Sequence, residues 1–218
     1  MKKESSKFFK ANYDLIASKW CKARTKLPLK DKELFELFMA PLPPKAKILD
    51  LGCGSGKPIS LMLSEMNHLI TGVDRSDKLL LQAKKNLPKA TFFQAEIEEY
   101  TILESYEAVV LWDVLFHIPR QKHKTILEKI YNSLCLNGTL ILSSGGSSKD
   151  IPAFTDFMFD VEFYYDSFIP LDLISICEKI GFKVKQSLMV NQSDGKRDKG
   201  RMGIILQKTS KGTSCPDD

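Results

Sequence analysis

Asp50, Asp74, Glu96 and Asp113 are the residues with chemistry to offer, and each ends or follows a short apolar run. Ile48, Leu49 and Leu51 surround Asp50, and the chain then turns through Gly52-Cys53-Gly54-Ser55-Gly56 before Pro58. Glycine lets backbone approach a ligand closely, and the first N–H groups of a helix have no partner within it. Pro58 fits a first helical turn, where its missing N–H costs nothing. A dinucleotide turn has the form G-x-G-x-x-G; here the glycines fall at 52, 54 and 56, and Lys57 stands where the last one would be. A carboxylate beside such a turn favours a cationic ligand group over a phosphate. Asp74 follows the turn by about 20 residues, the distance at which a carboxylate reaches a ribose diol and accepts from both hydroxyls. His117, four residues after Asp113, is a general-base candidate.

These groups must be positioned by strands. From residue 46 onward, strand and helix patterns alternate. Strands are predicted at 46–51, 69–74, 91–96, 108–112 and 139–143, with helices at 58–66, 76–87 and 121–135, the last stopped by Gly138. Such alternation implies a parallel sheet covered on both faces, with ligands bound beyond the carboxyl ends of the strands. All four acids fall there. Ahead of this core, Phe8, Phe9, Tyr13, Ile16, Ala17, Trp20 and Ala23 recur at helical spacing over 8–24. A second amphipathic helix over 31–40 takes Asp31 as N-cap and ends at Pro41, Pro43 and Pro44. After strand five, residues 151–170 are rich in Phe and Tyr with interspersed acids. They fit either a helix and loop packed over the sheet or the wall of an aromatic, acidic pocket for an apolar or cationic molecule. A helix at 170–180 stops at Gly181, and two strands, 182–190 and 203–207, follow.

The acid followed by G-x-G-x-G resembles motif I of the class I S-adenosylmethionine (SAM)-dependent methyltransferases, in particular the small-molecule type 11/25 group. Gly72-Val73-Asp74-Arg75-Ser76 is similar to the family's second-strand ending, Glu96-Ile97 to its adenine-contacting pair, and Trp112-Asp113-Val114-Leu115-Phe116-His117-Ile118-Pro119 to its motif IV. Tyr13-Asp14-Leu15-Ile16-Ala17-Ser18-Lys19-Trp20 with Arg24 resembles the helix that closes over the cofactor in such enzymes. The resemblance implies SAM as cofactor and S-adenosylhomocysteine (SAH) as product. It assigns cofactor contacts to Tyr13, Trp20, Arg24, Asp50, Gly52, Cys53, Gly54, Gly56, Asp74, Arg75, Glu96, Ile97, Leu111 and Trp112. Asp113 and His117 become the catalytic candidates. Phe116 replaces an acid that amine-methylating relatives often carry, and Glu96 replaces the usual Asp. The implied fold is α/β: a Rossmann-like seven-stranded, mostly parallel sheet with helices on both faces and the last strand antiparallel. Residues 1–44 form an N-terminal helical lid, 45–208 the SAM-binding core and 209–218 a disordered tail.

Composition narrows the reading further. Apolar residues make up 43% of the 218, as in ordinary globular chains. No apolar run reaches the roughly 18–20 residues of a membrane span, and the N-terminus lacks a secretory signal, so a cytoplasmic protein is expected. The five cysteines include no C-x-x-C, so no metal is expected and free thiols are. A net charge of +5 spread over many lysines gives no strong nucleic-acid signal. Motif IV lacks the Pro-Pro-Tyr/Phe and Pro-Cys signatures of nucleic-acid methyltransferases. The expected partner is a small-molecule acceptor, methylated by direct displacement in a monomer or homodimer. An RNA- or protein-modifying methyltransferase and a SAM-binding protein without catalysis are the alternatives, ahead of a nicotinamide dehydrogenase.

Overall fold

The computed structural model describes residues 11–195 and 198–209. Phe8 and Phe9 of the expected first helix, and the tail beyond Thr209, lie outside these.

The core opens with β1 (Lys47–Leu51), α3 (Ile59–Glu65), β2 (Leu69–Asp74), α4 (Asp77–Asn86) and β3 (Thr91–Gln94), preceded by α1 (Ala17–Ala23) and α2 (Leu29–Met39). It continues through β4 (Tyr106–Leu111), α5 (His123–Ser133) and β5 (Leu134–Gly145). A hairpin, β6 (Phe154–Met158) and β7 (Val161–Tyr165), precedes α6 (Pro170–Ile180), β8 (Phe182–Asn191) and β9 (Arg201–Lys208). Seven strands form one sheet in the order β3-β2-β1-β4-β5-β9-β8, and the hairpin stands apart. β1 to β5 pair in parallel, and β9 runs antiparallel to both its neighbours. The order turns back between β1 and β4, which opens a crevice at their carboxyl ends.

Alternation along the strands divides the core in two. Leu49, Leu51, Val109 and Leu111 face Ile126, Leu127 and Ile130 of α5 and Leu173 of α6. Ile48, Val110 and Ile141 face Leu34, Phe35 and Phe38 of α2 and Leu63 of α3. With both faces covered, the central strands are mostly apolar, and buried Asp50 near the end of β1 is an exception that the site uses.

Several elements depart from expectation. The first helix is broken: a 3-10 turn (Tyr13–Leu15) is separated from α1 by Ile16, buried against Ala11 and Phe163 in a small cluster of its own. α2 begins two residues early, after Pro28, so Asp31 is a buried residue within the helix rather than its cap. Gly138 lies inside β5 and stops no helix. A Cβ there would meet the Cys135 and Glu107 carbonyls at 2.9 and 3.1 Å, so the glycine serves the register shift between β4 and β5. The aromatic stretch is a β-hairpin, turned by Phe159 (φ 52°) and Asp160 (φ 67°). Cys21, Cys53 and Cys177 are free, but Cys135 is disulfide-bonded, contrary to the expectation for all five. No helix among the described residues is long and apolar enough to cross a membrane.

Candidate functional site

Asp50 sits at the end of β1, 3% exposed, and accepts a hydrogen bond from Ser60 Oγ at 2.5 Å. Burial pushes its carboxyl up to about 7, against the Ser60 bond, which lowers it. The glycine turn follows. Gly52 (φ 81°) passes so close to Val114 that a Cβ would lie 2.1 Å from its side chain, and its N–H donates to the Val73 carbonyl at 2.7 Å. Any other residue at 52 would be both strained and overlapped. Asp74 closes β2 and accepts from the N–H groups of Gly54 and Ser76, both at 2.8 Å. Burial raises its pKa, and the two N–H donors work in the opposite direction. The turn and the second strand end are thereby locked together. Asp14 from the N-terminal turn adds a further tie by accepting from Ser76 Oγ at 2.5 Å and from the Lys78 N–H at 3.1 Å.

Beyond β3, the loop carrying Glu96 and Ile97 is held from below. Lys129 Nζ donates to the carbonyls of Ile97, Glu98 and Tyr100 at 2.9, 3.1 and 2.9 Å. Glu96 faces Arg75 at 3.7 Å.

At the end of β4, Asp113 adopts φ 58°, a left-handed conformation that Asp tolerates better than most residues. Its N–H donates to Ser143 Oγ at 2.8 Å, and Ser143 Oγ donates to Oδ1 at 3.0 Å. Arg24 from the lid pairs with Oδ2, and Arg201 from β9 with Oδ1 at 2.5 Å. Arg201 also pairs with Asp31 at 2.6 Å and lies over the Trp112 ring, whose Nε1–H donates to Asp31 at 3.2 Å. A chain of alternating charges therefore ties the lid, α2 and the last strand together.

His117 is fixed as a tautomer by its neighbours. Nδ1 lies 2.9 Å from the Tyr164 carbonyl, which only accepts, so Nδ1 carries the proton. Nε2 then accepts from the Tyr13 hydroxyl at 3.0 Å. Burial lowers the imidazole pKa to about 4, so it is neutral at pH 7, and raises that of Tyr13 well above 10.

Two cavities meet at this pair. The first, about 310 Å3, is lined by Tyr13, Trp20, Arg24, Asp50, Gly52, Cys53, Gly54, Asp74, Arg75, Glu96, Ile97, Trp112, Asp113 and His117. All four strand-end acids reach it. The expected contacts Gly56 and Leu111 do not line it. Gly56 (φ 73°) instead admits Leu87, 2.5 Å from where its Cβ would be, and Leu111 is fully buried in the core. Sequence reasoning missed Lys57, Leu79, Glu98, Val114 and Lys122, which also line it. Lys57 and Val114 adjoin the recognised motifs and were within reach; Lys122 carried no signal.

The second cavity, about 730 Å3, shares Tyr13, Trp20, Arg24, Asp113 and His117 with the first and extends under the hairpin to Arg201. Arg201 escaped notice because only the pairing of β9 with β5 brings it beside Asp113, 88 residues away.

Residues 48–138 match the family model described as a methyltransferase domain. The chain is 29% identical to YqeM of Bacillus subtilis over 156 residues, covering 66% of this chain and 63% of that protein. It is 36% identical over 108 residues to a carboxy-S-adenosyl-L-methionine synthase of Campylobacter concisus, 47% of this chain and 45% of that one. These matches span less than two thirds of either relative. Among solved structures, a SAM-dependent methyltransferase from Methanosarcina mazei superposes with TM-score 0.70 at 19% identity, over 86% of this chain and all of that one.

Proposed function

We propose that this chain is a class I SAM-dependent methyltransferase that transfers the SAM methyl group to a small-molecule acceptor held in the second cavity, a reading supported by the matched segment, the fold and the cavity. The observation that carries the reading is the convergence of Asp50, Asp74, Glu96 and the bare Gly52–Gly54 turn on one cavity at the switch point of the sheet.

The residues present fit SAM. Gly52 and Gly54 leave the backbone bare along one wall, and Asp74, fixed by two N–H donors, can accept from a ribose diol. Glu96 and Ile97 are assigned to the adenine, and Asp50 to the ammonium end. Arg24 is assigned to the carboxylate, for which Asp113 is its partner in this structure. SAM supplies a methyl group already activated by the sulfonium, so the protein's work is alignment and the exclusion of water.

Tyr13 and His117 serve the acceptor proton where there is one. A proton taken up at the Tyr13 oxygen is relayed as the hydroxyl proton moves to Nε2 of His117, while the Tyr164 carbonyl holds Nδ1–H. Asp113 has both oxygens on arginines and is assigned to positioning rather than to proton transfer.

Calorimetry tests the reading. Wild-type protein should bind SAM and SAH but not NAD. Asp74→Ala should weaken SAH at least about tenfold, the loss of one charge-assisted contact. Absence of SAH binding by the wild type, or an unchanged affinity in Asp74→Ala, rejects it.

A further inference from the structure

We propose that the second cavity takes a planar aromatic acceptor that carries no anionic group; this rests on the methyltransferase reading above.

Three observations converge. First, the wall formed by the hairpin and motif IV is a run of nearly parallel rings. Phe154 stacks on Tyr165 (centroids 5.4 Å apart, planes at 16°), and Tyr165 on Phe116 (6.1 Å, 25°). All three are half-buried and line the cavity, leaving ring surface for a flat guest. Offset stacking of one further ring is the favourable continuation of such a run. Second, the cavity of about 730 Å3 is far larger than an aliphatic amine or a short acid requires, and it fits a molecule of two or three fused rings. Third, the charge around the cavity leans acidic: Asp113, Asp156, Asp166, Asp194 and Asp198 line it against Arg24, Lys149, Lys199 and Arg201, and both lysines belong to segments outside the hairpin, Lys149 before it and Lys199 before β9. The cations nearest the inner end are already engaged: Arg201 with Asp31 and Asp113, Arg24 with Asp113. At that inner end, where the methyl group would be delivered, an acceptor carboxylate or phosphate would have to break these pairs.

The place of the reacting atom follows. Tyr13, His117 and Asp113 line both cavities, so a ring hydroxyl or ring amine directed at them lies at the junction. The bond formed is from the methyl carbon to the ring oxygen or nitrogen. The carbon–sulfur bond breaks with its electron pair left on sulfur, and the heteroatom's proton passes to the Tyr13–His117 pair. The sulfonium's positive charge is lost as the imidazolium's appears, so the buried site gains no net charge. That balance offsets the burial that keeps His117 neutral beforehand.

The test uses the full chain saturated with SAH. Its probes are 2-naphthol, 6-hydroxyquinoline, 2-naphthoate, ethanolamine and a 17-nucleotide RNA stem-loop. Binding is read by calorimetry, and turnover with SAM by SAH release. The two neutral ring compounds should bind at least about tenfold more tightly than 2-naphthoate and the RNA. Phe154→Ala and Tyr165→Leu should each weaken them about tenfold, with SAH affinity within twofold of wild type as the check on folding. The proposal is overturned if SAH binds normally but the ring compounds do not, if naphthoate or RNA binds as well as they do, if ethanolamine alone turns over, or if both variants retain ring affinity. Failure of SAH itself to bind overturns the methyltransferase reading instead.

Discussion

Asp50 and His117 are held away from their ordinary charge states by the same cause, burial, with opposite consequences for stability. Unfolded Asp50 loses its proton near 3.8, whereas the folded group keeps it to about 7. Across that window the folded protein binds more protons, so this group's contribution to stability falls as pH rises. Unfolded His117 binds a proton below 6.5, whereas the folded imidazole does so only below about 4. Here the unfolded chain binds more protons, and the contribution rises with pH up to 6.5. Urea unfolding at pH 4.5, 6 and 7.5 separates the two: Asp50→Asn should remove the fall, and His117→Asn the rise. Wild-type pH profiles in both variants would contradict the assigned states. These states were not legible beforehand. The residue types were visible, but their burial and their partners Ser60, Tyr13 and the Tyr164 carbonyl come from three separate stretches of chain.

The loop over 95–100 shows how an element far from the cavity shapes it. Lys129 reaches from α5 to three carbonyls of that loop, satisfying groups that would otherwise need water. Its pKa is lowered by burial, the cost of keeping an ammonium there. Lys129→Met should speed amide exchange at 98–100 and weaken SAH roughly tenfold, equivalent to about 1.4 kcal/mol. Lys124→Met, which breaks only an exposed pair with Glu128 on the same helix, is the control and should change neither. Nothing in the local sequence distinguishes the two lysines; helix packing on the sheet does. The hairpin was hidden for a related reason. Its turn is made by Phe159-Asp160 in left-handed conformations, without the glycine that usually marks such a turn.

The molecule has two large apolar layers, one on each face of the sheet, and a third small cluster of Ala11, Ile16 and Phe163 between lid and hairpin. Lys19 adds an ion pair from α1 to Asp160 at the hairpin tip, 3.2 Å. Exposed as it is, that pair contributes little. The N-terminal helices and the hairpin are thus joined to each other by a minor core, and Tyr13, Trp20 and Arg24 line the first cavity from that side. A ligand enclosed there stabilises the whole chain by mass action. SAH at one hundred times its Kd should add about 2.7 kcal/mol. For a chain of this size that raises Tm by roughly 5–10 °C. NAD at the same concentration should leave Tm unchanged, and an equal shift with both would mean the cavity does not select its ligand.

Read alone, the residues determined the α/β alternation, the placement of four acids at strand ends and the glycine turn that leaves a cavity beside them, because strand period and turn chemistry are local. Fourteen of the sixteen predicted site residues line that cavity. Only the tertiary structure decided that Asp31 is a buried ion-pair partner, that Arg201 closes the far side of the site and that the aromatic stretch is a hairpin wall. Each of these depends on pairing between segments distant in sequence, and local spacing carries no record of which segments will meet.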